Sequence, residues 1–190
     1  MPFDPASTLP IFNSSFTSSD LLGIGATNLA MGLSDGLAAY APTGITVNTI
    51  DAGVFGSGAG IGFCIVSPTV FISFFESSLY SEGISGVMAT PLAVALGTAF
   101  STIFSNAVVN TLHPTVGVGT GTGFLVAVPS DTYFLAALES SGIAGISSPT
   151  MASVVSSALS SSLSTVVTVV AIVGSPSIFP SSGVGVGSLI

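Results

Sequence analysis

Apolar residues recur at spacings of four in six short stretches of this chain, and the stretches come in pairs. The first member of each pair carries Phe12 and Phe16, then Phe71, Phe75 and Leu79, then Phe134 and Leu138. The second carries Leu29, Leu33 and Leu37, then Leu92, Leu96 and Phe100, then Met151, Val155 and Leu159. Spacing of four predicts one buried stripe on a helix. Pro10, Pro68 and Pro129 stand near the starts of the first helices, where a missing N–H does no harm. Gly23, Gly86 and Gly145 are placed to end them. Thr27, Thr90 and Ser148 are the expected caps of the second helices, with Pro91 and Pro149 close behind. Ala30, Ala93, Ala95, Ala152 and Ala158 leave room for close helix approach.

After each helix pair the period changes from four to two. Thr165–Val173 (TVVTVVAIV) is strongly β-branched, and Val47–Ile50 and Val108–Leu112 are shorter versions. Glycine then alternates at Gly58, Gly60 and Gly62, at Gly117, Gly119, Gly121 and Gly123, and at Gly183, Gly185 and Gly187. Alternation puts these glycines on one face of an extended segment, where another backbone can pack directly. They are the expected packing and assembly positions.

The pattern is also an internal repeat. LLGIGATNLAMGLSDGL from Leu21, ISGVMATPLAVALGTAF from Ile84 and IAGISSPTMASVVSSAL from Ile143 align without gaps, bringing Ile24, Val87 and Ile146 together. VNTIDAGVFGSGAGIGF from Val47 aligns with VNTLHPTVGVGTGTGF from Val109 and, more loosely, with the segment from Ala171. Units of about 60 residues are expected at 1–62, 63–123 and 124–190, with no linker between them. The predicted fold class is α+β: three tandem α–α–β repeats, pseudo-threefold or side by side, with the glycine strands at the joints.

Charge then narrows the function. The 190 residues include no lysine and no arginine, against eight Asp and Glu and one histidine. Without cations the chain cannot neutralise phosphates, so nucleic-acid binding is excluded, as is a basic membrane-surface patch. A Schiff-base lysine, an arginine clamp and a P-loop lysine are excluded too. Only 4% of residues are charged and 48% are hydrophobic, with mean hydropathy +0.93. An isolated soluble domain carries roughly a quarter or more charged residues on its surface. This composition predicts a subunit buried in a multimeric assembly, beside partners that supply cations.

A membrane span is not expected. It needs roughly 20 mostly apolar residues, whereas the longest uninterrupted apolar run here is Tyr133–Leu138. No basic flank or tryptophan belt accompanies it. MPFDPASTLP lacks the features of an export signal, and the lone Cys64 reads as a small buried hydrophobe.

Candidate chemistry is sparse. The alternating glycines are not a G-x-G-x-x-G turn, and no Walker lysine exists. His113, in NTLHPT, reads as a turn residue before proline. The carboxylates Asp4, Asp20, Asp35, Asp51, Glu76, Glu82, Asp131 and Glu139 are scattered singly, with neither a catalytic pair nor a calcium loop. No catalytic, cofactor-binding or metal site is predicted.

With its AMGLSDGL helix (Ala30–Leu37) and GVGTGTG segment (Gly117–Gly123), the chain resembles the Gly/Ser/Ala-rich, internally repeated structural proteins of large tailed bacteriophages, cyanophages among them. That resemblance covers nearly the whole chain. It implies a virion location in tail, baseplate, neck or head, other virion proteins as partners, and no enzymatic activity. A holin-like or envelope membrane protein and a secreted filament or adhesin subunit are the alternatives.

Overall fold

Asp4 opens the first helix: its carboxylate accepts from the Ala6 N–H, and Pro5 takes the first helical position. A computed structural model of the chain describes residues 3–54, 57–113, 120–165, 169–174 and 181–189. Helices α1 (Pro5–Ser18) and α2 (Ile24–Gly44) lead into strands β1 (Ile45–Val54) and β2 (Ser57–Val66). Next come α3 (Pro68–Ser81), α4 (Ala89–Ser105), β3 (Val108–His113) and β4 (Thr120–Val126). The last are α5 (Asp131–Ser140), α6 (Ser148–Thr165), β5 (Val169–Gly174) and β6 (Ser181–Leu189). The fold is α+β.

Each helix pair is followed by two antiparallel strands, where the sequence led us to expect one. The reason is backbone satisfaction: an extended segment needs a partner for its N–H and C=O groups, and the nearest is its own continuation folded back. Positions 62/63 and 123/124 accordingly lie inside β2 and β4. The six strands pair in chain order, and β6 returns to β1, closing an antiparallel barrel. The helices close as well, since each packs on its neighbour in sequence and α1 packs on α6.

All the predicted stripes face the core. Phe12, Phe16, Phe71, Phe75, Leu79, Phe134 and Leu138 are buried, as are Leu33, Leu37, Leu96, Phe100, Val155 and Leu159. The leading residues Leu29, Leu92 and Met151 are partly buried against the same cluster. That cluster runs on into the barrel through Ile45, Cys64 and Val109.

Some local expectations fail. Pro10 sits inside α1, where it removes the bond to the Ala6 carbonyl. Thr27 lies within α2, and the caps of α2 and α4 are Gly23 and Met88, neither making a side-chain bond. Thr90 instead gives its hydroxyl to Glu76, 2.6 Å away. Backbone contacts had claimed these positions before the hydroxyls could cap.

In β2, Gly62 and Cys64 are buried while Ile61, Phe63 and Ile65 are exposed, so the glycine face points into the barrel. Register carries that face round the sheet, because directly paired positions share a side. Gly60 is opposite Thr111, which is opposite Gly123, and Gly60 is also opposite Asp51, which is opposite Gly183. Gly62 connects in the same way through Thr49 to Gly185, and Gly121 through Ile172 to Gly187. Gly58 is opposite Gly53. Gly117 and Gly119 lie outside the described residues. Eight strands are about the fewest whose interior accommodates side chains comfortably. A six-stranded barrel is narrower, and glycine on every second strand relieves it.

Gly62→Val should therefore destabilise the fold by about 3 kcal/mol or more through overpacking, although valine favours strands by up to about 1 kcal/mol. Ile61→Val, on the outer face, should stay within about 1 kcal/mol. Equal effects in urea denaturation would refute the inward placement.

Candidate functional site

The turns joining α1 to α2, α3 to α4 and α5 to α6 share one end of the molecule. This follows from connectivity. Ile45 continues directly from α2, Ser67 alone separates β2 from α3, and α4 and β4 join their strand and helix neighbours through short links. Those helix ends lie at the barrel, so the turns lie away from it. Phe3, just before α1, packs on Phe104 near the C-terminal end of α4, which places the start of α1 at the barrel end too.

The three turns share a construction. The N–H of Leu21 reaches back to the Phe16 carbonyl, that of Ile84 to Leu79, and that of Ile143 to Leu138, at 3.0, 2.9 and 2.8 Å. This is the six-to-one bond of a Schellman motif, which needs a left-handed residue just before it. Gly83 and Gly142 supply it, each with φ 78°. In the first turn the same place is held by Asp20, with φ 56°. Asp20, Gly83 and Gly142 thus turn the chain just past the first helices, whereas the aligned Gly23, Gly86 and Gly145 lead into the second. Their carbonyls accept from Ala26, Ala89 and Ser148 at 3.1, 3.1 and 3.2 Å.

These turns carry the most exposed apolar side chains described. Ile24, Val87 and Ile146 are 83%, 92% and 99% exposed, and Leu22 and Met88 stand out beside them. Asp20, Glu82 and Glu139 lie at the C-terminal ends of α1, α3 and α5. A negative charge there opposes the helix dipole by roughly 0.3–1 kcal/mol. Among the described residues none of these three side chains has a hydrogen-bonding partner. Between the first and third turns opens a groove of about 400 Å³, lined by Asp20, Leu22, Leu29, Ile143, Ser147 and Met151 among others. It is apolar, with one carboxylate at its rim.

The remaining candidates do not gather. His113 closes β3, its backbone opposite Gly58, and Asp51 lies in β1. Asp131 and Asp4 are at helix starts, and Asp35 is within α2. Among the described residues no three of His, Cys, Asp or Glu come together as a metal site, and no helix is long and apolar enough to cross a membrane.

Cys64 and Tyr40 are buried where the helices meet the barrel. Burial pushes the Cys64 thiol up from 9.0 to about 12. It also raises Tyr40, whose hydroxyl bonds to the backbone of Ser67. A thiol that holds its proton more tightly when folded adds stability that is complete below its unfolded pKa and lost as pH rises through the folded one. Unfolding free energy should consequently decline between about pH 9 and 12. With no lysine or arginine to titrate, this decline belongs to Cys64 and Tyr40. Denaturant titrations of Cys64→Ala should show a shallower pH slope, and an unchanged slope would refute the assignment.

Compared with family models, curated proteins and solved structures, the chain matches none of them. The sequence aligns Ile24, Val87 and Ile146 as repeat markers, and the structure exposes all three. Their adjacency to glycine in a helix–helix turn was the available sign of exposure.

Proposed function

We propose that this chain is a non-enzymatic structural subunit of a virus particle, placed in the tail, baseplate, neck or head of a tailed phage. It is built of three tandem units about a pseudo-threefold axis, each a helical hairpin followed by a β-hairpin. The three matching Schellman turns support that symmetry.

One observation carries the functional reading: apolar side chains face outward at both ends of a chain that has no lysine or arginine. Ile61, Phe63, Ile65 and Val126 project from the barrel, and Leu22, Ile24, Val87 and Ile146 from the turns. Scattered exposed apolar residues are ordinary, but clustered ones at two poles mark interaction surfaces. Covering them takes neighbouring proteins, and the formal charge of −8 favours basic ones. An obligate interface of this kind buries upwards of about 2,000 Å² and is mainly apolar. The inward glycines act within each subunit, letting its barrel close so that the outer face can be given to partners.

Sedimentation with purified particles, with antibody labelling to locate the chain, tests the reading. It should co-purify with the particles at fixed copy number. A soluble monomer found in no particle would overturn it, and so would catalytic turnover lost on changing His113.

A further inference from the structure

We infer that the turn end of the helical layer docks a basic amphipathic segment of a different protein, with an apolar residue in the groove between the first and third turns and a lysine or arginine on Asp20. The inference deepens the reading of the chain as an assembly subunit and rests on it for the partner's presence in a particle. The site itself stands on geometry.

Three features select this occupant. The groove is apolar, and Leu22, which lines it, is left two-thirds exposed to solvent. An apolar residue seated there removes area from water at roughly 25 cal/mol per Å². Asp20, on the rim, has no partner among the described residues and sits at a helix C-terminus, where its charge is opposed by the dipole. It also takes a left-handed conformation that the other two turns give to glycine. Glycine at position 20 would be easier on the backbone, yet this turn carries a charged side chain where the other two carry none. A cation from outside removes the electrostatic conflict.

The same charges exclude the other occupants. A second copy offers no lysine or arginine to meet Asp20. An anionic lipid surface repels it. A heterologous chain with alternating apolar and basic residues satisfies both the groove and its rim.

The test uses the purified 190-residue chain and a leucine–lysine amphipathic peptide, with its leucine–glutamate counterpart as control. Two variants separate the contributions. Asp20→Asn keeps a residue that tolerates left-handed backbone, and Leu22→Ser changes a side chain that is 67% exposed. Both should melt as the wild type does. The lysine peptide should bind and the glutamate peptide should not. Asp20→Asn should weaken binding roughly three- to fivefold, with reduced salt dependence, as fits one exposed ion pair. Leu22→Ser should weaken it about tenfold, as fits loss of one buried leucine.

Several results would overturn the proposal. One is equal binding of both peptides, or binding that neither variant changes. Another is tight association with phosphatidylcholine vesicles abolished by Leu22→Ser, which would make lipid the occupant. A third is self-association of the wild type that Leu22→Ser converts to monomer, which would make a second copy the occupant. Absence of the chain from particles, by contrast, would remove the virion reading and leave the peptide result standing.

Discussion

Phe100→Ala should lower the stability of the folded chain by about 3–5 kcal/mol. Phe100 is completely buried in α4. Its ring lies 5.0 Å from Phe75 and 6.2 Å from Phe71, both on α3, and stands edge-on to Phe134 of α5 at 5.2 Å. The side chain thereby joins a helix pair to the first helix of the next. Truncation removes the transfer energy of a benzyl group, leaves a cavity, and breaks aromatic pairs worth about 0.5–1.5 kcal/mol each beyond area. The surrounding rings belong to two helices, α3 and α5, held with α4 in a closed ring, so collapse into the void is restricted. Guanidinium denaturation followed by circular dichroism reads the effect. A loss below about 1 kcal/mol would mean that the aromatic cluster does not hold the helices together.

Gly97→Ala should be nearly as damaging, about 2–3 kcal/mol or more through forced overpacking. By propensity alone the change should stabilise α4 by about 1 kcal/mol. The neighbour decides the sign. A Cβ at position 97 would lie 2.7 Å from the Ile72 backbone nitrogen and 2.9 Å from its Cα. Backbone atoms cannot rotate aside, so α3 and α4 must separate. Gly25→Ala provides the contrast, because a Cβ there meets nothing within 4 Å. It should be neutral or stabilising by up to about 1 kcal/mol. If both alanines behaved alike in thermal melts, the close crossing of α3 and α4 would be disproved.

What could be read in the sequence was whatever depends on local period. Phe71, Phe75 and Leu79 lie one turn apart and are buried together, because burial on a helix follows spacing directly. The alternation of Gly58, Gly60 and Gly62 likewise fixed a one-sided extended segment. Features set by distant partners were not legible. That β2 folds back on β1 and then pairs with β3 is decided by hydrogen bonds between segments far apart in the chain. The narrow lumen follows only once all the strands have joined. Pro10 misled for a related reason, since Asp4 and Pro5 had already begun the helix upstream.

The groove at the turns was invisible for the same physical cause. Asp20 and Met151 meet there across most of the chain, and no local pattern links them. The alignment did hold one clue. Asp20 occupies the place of Gly83 and Gly142, a departure from an otherwise shared turn.

Closure of the barrel has a consequence for biosynthesis. The strand that seals it, β6, leaves the ribosome after the other five, and it bonds on one side to β5 and on the other to β1. Until Ser181–Leu189 is free of the exit tunnel, β1 and β5 of the nascent chain present unpaired edges, a known route to misassociation. On a polysome many such chains lie close together. The helices, whose contacts are largely between neighbours in sequence, can form during translation, but the barrel must wait. Closure of the barrel is thus timed by β6, and a chaperone or early-binding partner would do most good by shielding β1 during that interval.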